Sequence, residues 1–196
     1  MSQCVECGAV LSVPICCDHC GAIFDPQPGT DHFSLLGFSR AYALDEERLA
    51  QNFRRLTAKV HPDRHAQRSE EVQARATRLT ADLNRAYAVL SDGVRRADYL
   101  LELTGGPTAA EERGVPGDLL AEVMEVREAL EQARGVGDRR TIERLRQVNE
   151  SKRRQTLDEI AALASGIETA SVRQRRRLRL LLNALRYFEN LTTELV

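Results

Sequence analysis

The chain contains no tryptophan, only 5% of its residues are aromatic, and no cysteine occurs after residue 20. With so few rings, a core has to be filled by aliphatic side chains. Arg, Leu, Ala and Glu dominate after residue 40, which predicts packed helices rather than a β-sandwich. Long apolar runs are missing too: none approaches the roughly 18 residues that suggest a membrane span, so no membrane partner is expected. Charge of one sign is equally absent. Lys and Arg number 28 against 29 Asp and Glu, a net charge of −1, which excludes a global basic field for nucleic acid or anionic lipid. Met1-Ser2-Gln3-Cys4 shows neither a secretory apolar segment nor an Arg-rich transit segment. The expectation is a bacterial cytosol with reduced thiols, the mitochondrial matrix being the alternative for a cleaved chain. What is present is 196 residues with 42% hydrophobic and 29% charged, enough for one or two domains.

All five cysteines fall within residues 4–20, as Cys4-Val5-Glu6-Cys7 and Cys17-Asp18-His19-Cys20 with Cys16 to spare. A C-x-x-C hook lets two thiolates reach one ion from a tight turn, and two hooks complete the four-sulfur tetrahedron of a closed zinc site. Cys4, Cys7, Cys17 and Cys20 are the candidate ligands of a structural zinc, with Cys16 and His19 in reserve. Gly8 and Gly21 follow the hooks, where a missing Cβ would ease the approach of amides to sulfur. A redox dithiol is the competing reading, but neither hook sits in the βαβ context such motifs use.

Breaker residues divide the remainder. Residues 1–25 form the cysteine-rich module, 26–30 (Pro-Gln-Pro-Gly-Thr) a linker, 31–104 a helical unit, 105–117 a Gly- and Pro-punctuated linker, and 118–196 a final helical unit. In the first helical unit Asp45 can cap a helix whose Leu49, Phe53, Leu56 and Val60 share one face, while Arg48, Arg55 and Lys59 lie on the other. Pro62 ends it. A second helix is expected over about 69–90, with Leu79, Leu83, Ala86 or Tyr87, and Leu90 inward, giving an antiparallel hairpin. The last unit reads as three helices. The first carries the stripe Leu119, Val123, Val126, Leu130 and Ala133 and breaks at Gly135-Val136-Gly137. The second spans about 139–163, its polar stretch Asn149–Thr156 open to bending or fraying. The third spans about 168–195, with Leu178, Leu181, Leu185 and Phe188 inward.

His61-Pro62-Asp63 occupies the hairpin loop, after Arg54, Arg55 and Lys59 and before Arg64. A tripeptide alone is a common turn. In this setting it resembles the J-domain, the module by which co-chaperones stimulate a DnaK-type ATPase. Asp31-His32-Phe33-Ser34-Leu35-Leu36-Gly37 is similar to that family's opening stretch, and Asn84-Arg85-Ala86-Tyr87-Ala88-Val89-Leu90 to its later helix. Arg95-Arg96-Ala97-Asp98-Tyr99-Leu100-Leu101-Glu102-Leu103 further resembles the HscB family of J-type co-chaperones in iron–sulfur cluster biogenesis, and the cysteine hooks resemble an N-terminal extension that some of its members carry. His32, where tyrosine is common, and Arg64, where lysine is usual, depart from the pattern.

The resemblance implies an all-α protein: a J-domain hairpin, a C-terminal three-helix bundle and a small zinc module. It implies two partners, a DnaK/HscA-type chaperone ATPase and an iron–sulfur cluster scaffold protein, and no enzymatic activity of the chain's own. His61, Pro62, Asp63, Arg54, Arg55, Lys59 and Arg64 would meet the chaperone. Physically, Asp63 can accept charge-assisted hydrogen bonds from a partner's arginine, and the cations can steer toward an acidic surface. The family's scaffold-binding positions fall on Leu120, Met124, Glu125, Glu128 and Leu180, with Ala121 and Gln132 at two weakened ones. Leu120 and Met124 point about 100° and 140° from the Leu119 direction, outside the core stripe. On the last helix Leu180, Ala184 and Tyr187 also lie off the Leu178 face. The alternatives are wider core burial of those residues, a general J-domain adaptor for another client, and a zinc-ribbon nucleic-acid binder. For the basic cluster Arg173–Arg179 a solvated helix face is the simpler account, since no aromatic platforms interleave it.

Overall fold

A computed structural model describes residues 3–196. Among them the chain is helical except near the N-terminus, where isolated antiparallel bridges join Gln3 to Val10, Val13 to Cys16 and Cys16 to Ile23. It divides into two compact units between Arg96 and Ala97. No helix among the described residues is long and apolar enough to cross a membrane.

The first unit holds the cysteine module and helices α1 (His32–Leu36), α2 (Glu46–Val60) and α3 (Glu70–Leu90), with a 3₁₀ turn at Pro62–His65. Asp45 starts α2 by accepting from the Arg48 amide at 2.9 Å, and Glu46 and Glu47 suit the positive end of the helix dipole. Leu49, Leu56 and Val60 are buried against the Leu79, Leu83 and Leu90 face of α3. Phe53 stacks on Tyr87, centroids 4.3 Å apart. Asn52 Nδ2 donates to the Leu36 carbonyl at 2.8 Å and locks α2 to α1. Asp92 then accepts from the Val94 and Arg95 amides, both at 2.9 Å, so the break at 91–93 is a corner that opens α4 (Gly93–Leu103).

In the second unit the helices are α5 (Leu119–Val136), α6 (Arg139–Ser165) and α7 (Val172–Glu194). Leu119, Val123 and Leu130 of α5 meet Ala184, Phe188 and Leu191 of α7 in one cluster. Several details depart from the sequence pattern. α5 continues through Gly135 and Val136 before Gly137 caps it. α6 runs unbroken through its polar stretch because Asn149 and Thr156 point inward: Asn149 Nδ2 donates to Phe188 O at 3.0 Å and Thr192 Oγ1 at 2.9 Å. α7 begins at Val172, behind a Ser171–Gln174 capping box, while Ile167–Thr169 is a 3₁₀ turn.

The cluster Arg173–Arg179 is not one solvated face. Arg179 is 0% exposed, its Nε donating to Pro107 O at 2.9 Å and its Nη2 to Asp98. Arg177 pairs with Glu159 at 2.8 Å and Arg176 with Glu112 at 2.7 Å. Nor is α7 apolar on a second, open side: Ala184 is in the core, and Leu180 and Tyr187 are half-buried. Ala184 meets α5, and the 105–117 segment lies on α7 beside Leu180. Asn183 Nδ2 donates to Glu112 O and Gly114 O at 2.9 Å each.

Candidate functional site

The two cysteine hooks fold alike. Gly8 N–H donates to Cys4 O at 2.8 Å and Cys4 N–H to Ala9 O at 2.8 Å; Gly21 N–H donates to Cys17 O at 3.1 Å and Cys17 N–H to Ala22 O at 2.9 Å. Gly8 and Gly21 have φ of 72° and 74°, and a Cβ at either meets nothing within 4 Å. Left-handed backbone, rather than close approach of an amide to sulfur, therefore selects glycine. The Sγ atoms of Cys4, Cys7, Cys17 and Cys20 lie within 4.8 Å of one another. Cys4 and Cys20 are 3.6 Å apart and Cys7 and Cys17 3.7 Å. A tetrahedral shell with Zn–S near 2.3 Å requires about 3.8 Å between sulfurs, so four thiolates in this place fit a metal ion. The Cys17 thiol is lowered to about 6, first by the Cys20 backbone amide and, against burial, by that of His19, whereas the thiols of Cys7 and Cys20 are raised by burial and by hydrogen bonds among the sulfurs. Cys16 and His19 stand outside the group; burial pushes the Cys16 thiol up to about 11.

The hairpin loop is braced from both sides. His65 is buried with Nε2 3.0 Å from Lys59 O, and Gln73 Nε2 of α3 donates to Ala66 O at 3.1 Å and Arg68 O at 2.9 Å. Pro62 sets the first turn, and His61 Nδ1 accepts from the Asp63 amide at 3.3 Å. The same Nδ1 lies 3.6 Å from Asp63 Oδ2. The Asp63 side chain is 91% exposed. Arg54 and Arg64 are exposed, whereas Arg55 and Lys59 are partly covered. His32 is half-buried; burial, then the charge of Arg85, lowers its pKa.

On α5 Leu120 and Met124 are 51% and 70% exposed, beside exposed Glu125 and Glu128. Leu180, half-buried on α7, instead packs toward Gly114, whose Cβ would meet its Cδ2 at 3.2 Å.

Sequence reading missed Asp18 and Asp25. Asp18 Oδ1 accepts from Arg55 Nη1 at 2.8 Å and from Lys59 Nζ. Asp25 accepts from Arg75 Nε at 2.8 Å and Arg78 Nη2 at 3.2 Å. Nothing local announces either pairing, since the partners lie 37 to 53 residues away.

A braced helical hairpin with an exposed His-Pro-Asp turn defines a J-domain, and the DnaJ domain family matches residues 31–99. The HSCB C-terminal oligomerisation domain matches residues 115–196. The chain belongs to the HscB family of co-chaperones. It is 33% identical over 141 residues, 71% of this chain and 78% of the relative, to the co-chaperone protein HscB homolog of Azoarcus sp. strain BH72. It is 28% identical over 195 residues, 96% of this chain and 79% of the relative, to the iron-sulfur cluster co-chaperone protein HscB of Mus musculus. The crystal structure of human co-chaperone HscB superposes with a TM-score of 0.74 at 25% identity, covering 99% of this chain and 96% of that one. HscB from Vibrio cholerae gives 0.61 at 29%, covering 85% and 100%.

Proposed function

We propose that this chain brings an iron–sulfur cluster scaffold protein to a DnaK/HscA-type ATPase and stimulates ATP hydrolysis by that partner, without catalysing a reaction itself. The observation that carries the reading is the Asp63 carboxylate, 91% exposed at the tip of a loop already braced by His65 and Gln73. A fixed, solvated carboxylate forms charge-assisted hydrogen bonds to a partner's arginine with little ordering cost. His61 and Pro62 hold it, and Arg54, Arg55, Lys59 and Arg64 supply attraction to an acidic surface. Stimulation then follows if this loop binds one nucleotide state of the ATPase better than the other.

Residues 31–104 are the J-domain of this reading, 118–196 the client-binding domain and 105–117 the segment joining them. Leu120, Met124, Glu125, Glu128 and Leu180 are the scaffold contacts. The mouse relative's designation as an iron-sulfur cluster co-chaperone supports that choice of client. Cys4, Cys7, Cys17 and Cys20 of the 1–25 module would hold zinc; with four protein donors and no open position, the ion would be structural. Single-turnover ATP hydrolysis by the cognate DnaK-type chaperone tests the central point. D63N should abolish stimulation, and a D63N chain that stimulates as well as the wild type would refute it.

A further inference from the structure

The cysteine module is fastened across the hairpin by one acid per helix: Asp18 on α2 through Arg55 and Lys59, and Asp25 on α3 through Arg75 and Arg78. Apolar contact backs the two clasps. Val13 is buried, with Cγ1 at 3.2 Å from where a Cβ on Gly37 would stand. Asp18 is placed by the hook itself, directly after Cys17, and Ser12 Oγ steadies its other oxygen at 2.5 Å. The carboxylate thus belongs to the 17–20 turn that carries two of the four sulfurs.

Two of the four cations assigned above to an acidic partner are thus engaged by a carboxylate of the same chain. Arg54 and Arg64 are exposed to solvent, but Arg55 and Lys59 are not free to pair outward without releasing Asp18. An incoming acidic surface has to displace that carboxylate or share its cations with it.

We propose that the cysteine module is a metal-set mask on the basic face of α2. Asp18 occupies Arg55 and Lys59 while the hook is closed, and opening the hook unmasks them for an acidic protein surface. This rests on the reading that the same face docks the ATPase, and the experiment separates the two.

The full-length chain is titrated against the cognate DnaK-type chaperone at low and high salt, with bound metal measured on every sample. D18N should bind about fivefold more tightly at low salt, the equivalent of two half-exposed ion pairs, with the gain shrinking as salt rises. D18E should bind as the wild type does. Chelator-stripped wild type should show the same gain, and stripping D18N should add nothing; this arm also serves if D18N fails to hold its metal. Unchanged or weaker binding by D18N that retains metal, or by stripped wild type, overturns the mask. A parallel D63N sample distinguishes the levels: if it loses stimulation while D18N binds normally, only the mask falls, and if it stimulates fully the docking reading beneath it falls.

Discussion

Arg179 shows how a charged residue in a run of seven positions that looks like a solvated patch can be fully buried. It is 0% exposed and tied to Asp98 and the Pro107 carbonyl. The pair is asymmetric, because the Asp98 side chain is 33% exposed. Removing the aspartate leaves a buried cation short of a partner, whereas removing the arginine leaves a carboxylate that reaches water. D98A should therefore cost about 3 kcal/mol and R179M distinctly less, as read from urea midpoints; equal costs would contradict the account. Asp25 illustrates a weaker, pH-dependent tie. Hydrogen bonding from Arg75, with a further contribution from Arg78, lowers its pKa below 3.8. A depressed carboxyl contributes stability that is fully present above the unfolded value and lost as pH falls through the folded one. The stability difference between wild type and D25N should thus stay constant from pH 8 to about 5 and shrink only in acid below 3.8, as denaturation midpoints across pH would show. None of these pairings was legible in the sequence, where spacing reports on the same helix and not on a neighbour. The C-x-x-C hooks were legible because ligand geometry there is set within a few residues.

For the helices, apolar periodicity located α2, α3 and α5 closely, since Leu49, Leu56 and Val60, or Leu119, Val123 and Leu130, bury one stripe each. It failed where polar side chains go inward. Asn149 and Thr156 made the middle of α6 look exposed, yet both are buried and the helix does not fray. Likewise Ala184 lies off the Leu178 face yet is buried against α5, and Leu180 is half-covered at Gly114 by a backbone segment that Asn183 holds; neither neighbour leaves a periodic signal on α7. α5 is different: it keeps Leu120 and Met124 in solvent on the side away from its core stripe. L120A/M124A/L180A should reduce scaffold affinity at least tenfold in a calorimetric titration. The two α5 substitutions remove little packing, whereas L180A also trims a half-buried contact at Gly114, so L120A/M124A, whose far-UV spectrum should match the wild type, is titrated beside the triple variant; unchanged affinity would remove the scaffold from this face.

At the scale of the molecule, the first unit presents an acidic tip on a braced hairpin, and the second presents an apolar pair edged by acids. The division between them falls inside α4, upstream of the 105–117 breakers. Glycine and proline mark where regular helix stops, not where packing changes partners: Leu100 and Leu101 are fully buried and Asp98 already pairs with α7. Coupling between the two surfaces is the core of the proposed function. The most direct test is single-turnover ATP hydrolysis by the cognate DnaK-type chaperone with this chain alone, with the iron–sulfur scaffold alone, and with both. The account predicts stimulation by the pair well beyond the product of the two separate effects, lost when L120A/M124A/L180A replaces the wild type. A combined rate no greater than that product would contradict it.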